Sequence, residues 1–355
     1  MNCTRRDFGR IAAAAFPMLR AMGAAKPNSV FRGVHIGIIA PYSFRGMSSS
    51  AEDILKYLVE LGLSTVELQS QPVEAFAGAP AGAGRGFGPP AGMPPAGGPG
   101  GARAGAGPGG APGGAPQGVG PGGPGQGAAR GPRTLTPEQQ EAMKKAAEQM
   151  RKWRLSVSMD KFRELRKVYN EAGVAINAFK LEMANLSDEE CDYGFNVARA
   201  LGATHVTMEL NLDPAVTERI GKIAARHQIY VGYHNHTQVK FNSWDVALAQ
   251  SPYNGINFDV GHYAAATNES PIPFIRKYAN RIQSLHLKDR KYSSNGGANL
   301  PWGQGDSQLK EILQLLAQEK YSFPANIEFE YPVPEGSTVM AELARCIKFA
   351  KDALS

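Results

Sequence analysis

Histidines, aspartates and glutamates recur at one kind of place in this chain, the ends of short apolar runs rich in β-branched and aromatic residues. Glu67 lies at the end of one such run. Met208-Glu209-Leu210, Tyr233-His234-Asn235-His236, Phe258-Asp259-Val260-Gly261-His262, Leu285-His286-Leu287-Lys288-Asp289 and Ile327-Glu328-Phe329-Glu330 close five more. An ionisable group leaving an apolar strand is costly unless it is paired or metal-bound. A mixed imidazole and carboxylate set suits one divalent ion among Mn²⁺, Mg²⁺, Co²⁺, Zn²⁺ and Fe²⁺ without selecting one. Each residue also has an ordinary reading. His234 or His236 could be a hydrogen-bonded core histidine, Glu209 or Glu67 could pair with a basic neighbour, and Asp259 could cap the next segment. Lys288 could pair with Asp289, and Trp302 could pack a loop. Glu328 and Glu330 share a face by period-two alternation, and Glu328, deeper in its run, is favoured as the ligand.

Elements able to carry such a set follow from the pattern. Strands are predicted at 34–40, 64–68, 174–179, 204–210, 229–234, 255–259, 282–287 and 325–330. Amphipathic helices lie between most of them. Ser50 caps a helix with Ile54, Leu55, Leu58 and Leu61 on one face. Thr136-Pro137-Glu138-Gln139 and Ser187-Asp188-Glu189-Glu190 are helix-start signals, as is Asp213-Pro214. Two helices are expected at about 137–152 and 159–171, and a last one from about 338 to 353. Regular βα alternation argues for a parallel sheet, and eight units favour closure into a (β/α)₈ TIM barrel. No GxGxxG follows the first strand, so a dinucleotide fold loses its main support. In such barrels, residues at the C-terminal strand ends do the chemistry.

Composition divides the chain into parts. Residues 78–133 hold 23 of the 41 glycines and 12 of the 25 prolines, with no Asp or Glu. That tract is expected to be a disordered insertion in the loop after strand two, because it cannot bury enough apolar surface to order its backbone. The barrel is then expected at 30–77 and 134–355. Residues 1–25 resemble a twin-arginine export signal: Arg5-Arg6-Asp7-Phe8, the apolar run from Ile11 to Met22, then Gly23-Ala24-Ala25. This predicts a periplasmic protein. The signal carries +3 and the Gly/Pro tract +4, so the net +6 leaves the barrel at −1. A near-neutral body argues against nucleic-acid binding. No apolar run reaches the length of a membrane span. Cys3, Cys191 and Cys346 form no CxxC pattern, and the last two are expected as free thiols.

The ordered strand-end series resembles the sugar phosphate isomerase/epimerase superfamily, the xylose isomerase-like TIM barrels. The residues that carry the likeness are Tyr233-His234-Asn235-His236, Asp259-Val260-Gly261-His262, His286-Leu287-Lys288-Asp289, Trp302-Gly303-Gln304-Gly305-Asp306 and Ile327-Glu328-Phe329-Glu330. The resemblance implies a metal held by Asp259, His286 and Glu328. His234 stands where many relatives carry a glutamate, so Glu209 is expected to supply the missing carboxylate ligand. His234, His236 and Glu328 are the expected proton carriers, and Glu67, His262, Lys288 and Trp302 the expected substrate contacts. The implied activity is isomerisation or epimerisation of a sugar or keto-sugar by proton transfer through a metal-stabilised ene-diolate. A keto-sugar lyase or dehydratase, or a carbohydrate-binding barrel without catalysis, are the alternatives. The partner is a small carbohydrate, and the pattern leaves homo-oligomerisation open.

Overall fold

The structure, a computed structural model, describes residues 26–80 and 136–355. The expected export signal, with Cys3, and all of the Gly/Pro tract beyond residue 80 lie outside the described residues. Eight parallel strands close on themselves: β1 (Val34–Ala40), β2 (Thr65–Gln69), β3 (Ala175–Lys180), β4 (His205–Glu209), β5 (Tyr230–His234), β6 (Asn254–Asp259), β7 (Ile282–Leu287) and β8 (Ala325–Ile327). Each pairs with the next in sequence, and β8 pairs back onto β1, with Ala325 opposite Ile36. The predicted (β/α)₈ barrel is therefore what the chain forms.

Helices α1 (Ala51–Glu60), α2 (Ser70–Phe76), α3 (Pro137–Ser156), α4 (Asp160–Glu171), α5 (Asp188–Leu201) and α6 (Pro214–His227) follow the first four strands. Around the other half run α7 (Asp245–Gln250), α8 (Val260–Thr267), α9 (Ile272–Tyr278), α10 (Leu309–Gln318) and α11 (Val339–Ala353). The start signals act as expected. Ser50 accepts from Asp53 N–H, and reciprocal capping boxes form at Thr136/Gln139 and Ser187/Glu190. Trp244, Phe258, Tyr263 and Phe274 fill the layer between barrel wall and helices, with the Phe258 and Phe274 rings stacked at 4.2 Å. Cys191 and Cys346 are buried free thiols.

Two features differ from expectation. Strand eight ends at Ile327, because the Phe329 N–H donates to Ser43 Oγ at 3.1 Å instead of to a neighbouring strand. Glu328 and Glu330 therefore sit on an extended segment just past the strand. The barrel interior, moreover, is polar where aliphatic layers are usual. Asn177 Nδ2 donates to Thr65 Oγ1 (2.9 Å) and Asn326 Oδ1 (3.1 Å), and Asn326 Nδ2 donates to Glu67 Oε2 (3.2 Å). Gly37 makes room for that layer, since a Cβ there would meet Asn326 Oδ1 at 2.2 Å.

Candidate active site

The C-terminal ends of β5, β6 and β7 and the segment just past β8 converge at the mouth of the barrel. His234, Asp259, His286 and Glu328 are all buried, and each offers a ligand atom within 4.8 Å of the other three. Strand register explains the meeting, because Asp259 lies opposite His286 in the β6–β7 ladder. Asp259 also performs the capping role that its position suggested. Its Oδ1 accepts from His262 N–H at 2.6 Å and starts α8. The other oxygen, Oδ2, receives no well-formed hydrogen bond, although the Lys288 ammonium stands 3.1 Å away. A buried carboxylate oxygen left without a hydrogen bond, in a set of two imidazoles and two carboxylates, fits a divalent ion.

His286 bridges two carboxylates, with Nε2 2.8 Å from Glu67 Oε2 and Nδ1 2.8 Å from Glu328 Oε2. Burial alone would lower its pKa, but Glu67 and Glu328 overcome burial and lift it to about 10. Glu67 also accepts from Thr207 Oγ1 at 2.6 Å and is fully buried. It is thus not at the rim and not free to meet a substrate; it orients His286, as carboxylates behind metal-binding histidines do.

Lys288 is 2 % exposed and does not pair with Asp289. Its Nζ lies 2.7 Å from Glu330, 3.1 Å from Asp259 and 3.4 Å from Glu328. Asp289 instead accepts the backbone N–H groups of Gly303 and Gly305 at 2.8 and 2.9 Å, pinning the loop that carries Trp302. Despite burial, Lys288 and His286 hold Glu328 well below the usual carboxylate range. His262 has cationic donors at both nitrogens, Lys288 Nζ at 2.8 Å and Arg290 Nη1 at 2.7 Å. A neutral ring accepts at one nitrogen only, so it satisfies one of the two at a time. Burial and Lys288 push its pKa well down.

Glu209 does not join the ligand group. Lys180, on the neighbouring strand, sits 2.8 Å from Oε1, and His236 Nε2 sits 3.0 Å from Oε2. Its carboxylate is already neutralised, and His234 takes the fourth place. His236 is half-exposed at the mouth, and the Glu209 carboxylate 3.0 Å away raises its pKa above the ordinary value. His234, by contrast, is buried with Nδ1 2.7 Å from Asn257 Oδ1. Trp302 is not brought to this group. Its ring packs edge-on against Phe349 of α11, 5.8 Å between centroids, so the loop-packing reading describes it.

Three groups escaped the sequence reading. Lys180 ends β3 with the same inward aim as the acidic residues, but its signal, a cation at a strand end, is not a ligand type. Tyr42, just past β1, donates to Glu330. Arg290 reaches the site from two residues beyond Lys288, after β7.

Inosose dehydratase of Clostridium tetani is 27% identical over 124 residues, 29% of this chain and 41% of that protein. Inosose dehydratase of Clostridium botulinum is 25% identical over 142 residues, 34% of this chain and 47% of that protein. The chain thus spans less than half the length of the curated relatives it matches. Among solved structures, a probable 3-DHS dehydratase involved in petrobactin synthesis from Bacillus anthracis superposes with a TM-score of 0.54 at 13% identity. The match covers 89% of this chain and 97% of that one. A xylose isomerase domain protein from Alicyclobacillus acidocaldarius gives 0.50 at 13% identity over 90% of this chain and 99% of its own. At such identities the likeness shows the fold. Residues 140–349, more than half of the chain, match the family described as Xylose isomerase-like TIM barrel, and the chain belongs to that family.

Proposed function

We propose that this barrel is a divalent-metal-dependent dehydratase of a keto-sugar, in which a proton beside the carbonyl is removed and the neighbouring hydroxyl is lost as water. The observation that carries the reading is the meeting of His234, Asp259, His286 and Glu328 beside the His236–Glu209 pair. Bound there, the metal would polarise the substrate carbonyl and so acidify the adjacent C–H. His236, neutral, takes that proton while Glu209 holds its ring. The same ring returns the proton to the departing hydroxyl: one C–H and one C–O bond break, a C=C bond forms, and water leaves. Lys288 and His262 would hold substrate oxygens, with Asp259 and Glu328 beside Lys288 among the residues that would hold the metal.

Elimination is favoured over epimerisation by the state of His234. Buried and tied to Asn257, it belongs with the ligands and cannot act as a second base on the opposite face of the carbon. The inosose dehydratases among the relatives support the same choice. Epimerisation is the second reading, carried by Asp259, His286 and Glu328, which keep the positions expected of epimerases.

Incubation with keto-sugars, inosose among them, in D₂O separates the two. The dehydratase reading predicts a product lighter by one water. A product with its skeleton intact and solvent deuterium at one carbon would overturn it in favour of epimerisation. Residues 1–25 are proposed to direct export to the periplasm, a reading supported by the Arg5-Arg6 pair and the apolar run behind it. Among the described residues, no helix is long and apolar enough to cross a membrane.

A further inference from the structure

One chain of hydrogen bonds leads away from the mouth, through the polar interior. His234 Nδ1 is 2.7 Å from Asn257 Oδ1, and Asn257 Nδ2 donates to Ser284 Oγ at 2.6 Å. Ser284 Oγ is 2.9 Å from His205 Nε2, and His205 Nδ1 is 2.9 Å from Thr204 Oγ1. The Thr204 hydroxyl donates to the Asn177 carbonyl at 3.1 Å. His234, Asn257, Ser284 and His205 are all buried, whereas Thr204 is exposed beside the start of β4, at the opposite end of the barrel. Strand register sets the first three members side by side: His234 lies opposite Asn257, and Asn257 opposite Ser284. Gly232, two residues before His234 on the same face, leaves the space they need. A Cβ there would come within 3.3 Å of the Asn257 Cβ and 3.5 Å of the His205 ring.

Every inner member of this chain is an amide, a hydroxyl or an imidazole, giving a hydrogen on one side and accepting one on the other. Reversing a single link would set two donors or two acceptors face to face in the interior, where unpaired polar groups are costly. The polarity is therefore all or none. The Asn177 carbonyl accepts the Thr204 N–H at 3.0 Å and the Thr204 hydroxyl at 3.1 Å, and in that arrangement the hydroxyl hydrogen points away from His205. His205 Nδ1 must then donate to Thr204, and its Nε2 must accept from Ser284. Ser284 in turn accepts from the Asn257 amide, whose oxygen is left to accept from His234 Nδ1–H. Both rings are buried and hydrogen-bond only to uncharged groups, an environment that favours the neutral imidazole.

We infer that Thr204, His205, Ser284 and Asn257 form a positioning chain that fixes the tautomer of His234 from the far end of the barrel. His234 is thereby held with its lone pair on Nε2, the nitrogen available to the group of Asp259, His286 and Glu328. The role of that lone pair rests on the proposed function; the tautomer itself does not.

The test is a pair of measurements on the full chain. Long-range proton–nitrogen correlation spectra of metal-free, ¹⁵N-histidine-labelled protein report which ring nitrogen carries the hydrogen. The expected spectrum shows His234 and His205 both protonated at Nδ1, with pyridine-like Nε2. Ser284→Ala is expected to mix the His234 tautomers and to weaken Mn²⁺ binding about tenfold, the scale of losses behind metal-binding histidines; Ser284→Thr, which keeps the hydroxyl, restores both. His234 protonated at Nε2 in the parent protein would overturn the inference, whether or not Ser284→Ala folds. So would an unchanged His234 pattern in a folded Ser284→Ala. Nδ1-protonated rings in a protein that binds no Mn²⁺ would uphold the chain and sink the metal-dependent reading instead.

Discussion

Lys288 is a buried ammonium set among three carboxyl groups, and removing it strands their charge in the interior. Its Nζ lies within 3.4 Å of Asp259, Glu328 and Glu330, and burial still raises the Asp259 carboxyl to about 7. Lys288→Ala should therefore destabilise the metal-free protein by about 3–5 kcal/mol, the usual cost of stranding buried charge. Metal-loaded protein should lose less, because the ion supplies the missing positive charge. Denaturant unfolding with and without chelator measures both, and equal losses would contradict this role. His236 offers a pH test. Its pairing with the Glu209 carboxylate raises its pKa, so as a base it becomes active only as pH rises through that elevated value. Glu209→Gln removes the carboxylate, lowers the pKa, and should move the acidic limb of kcat/KM to lower pH. A limb that stays in place would exclude His236 as the base. At this scale the sequence named most of the site but not its pairings. Residue type and strand-end position point to Asp259, His286 and Glu328. Nothing along the chain says that Lys180 would claim Glu209, or that Glu67 would stand behind His286, since those partners come from other strands.

The short connections between elements decide how closely these groups approach. Strand β6 runs into helix α8 with no loop, Asp259 ending one and capping the other. Gly261 in the first turn of α8 allows that helix to lie against the residue after β7. A Cβ at Gly261 would meet Lys288 Cγ at 2.3 Å and the Lys288 carbonyl oxygen at 2.6 Å. Gly261→Ala should thus cost about 1–3 kcal/mol through overpacking and push Lys288 from its carboxylates. Thermal unfolding and substrate affinity should fall together; an alanine variant with parental stability would show that the approach is not tight. Strand positions were legible because β-branched runs and capping signals are local, and most boundaries fall within a residue of expectation. The early end of β8 was not, because it depends on Ser43, a side chain from beyond β1, taking the Phe329 N–H.

Closure of eight βα units brings groups more than two hundred residues apart in sequence to one mouth, and the alternation that produces it is written along the chain. The polar barrel interior is not, because each strand contributes only one or two inward residues, and Asn177, His205, Asn257, Ser284 and Asn326 form a connected set only once the ladder registers are fixed. Composition predicts that removing residues 82–132, glycine- and proline-rich and without acidic groups, leaves the barrel's unfolding temperature unchanged. The central claim is that His234, Asp259, His286 and Glu328 hold one ion between them. It is met most directly by elemental analysis of the purified protein and of His286→Ala after dialysis against a divalent metal. The account predicts one ion per chain in the parent and none retained in the variant; equal metal content in the two, or no stoichiometric ion in either, would contradict it.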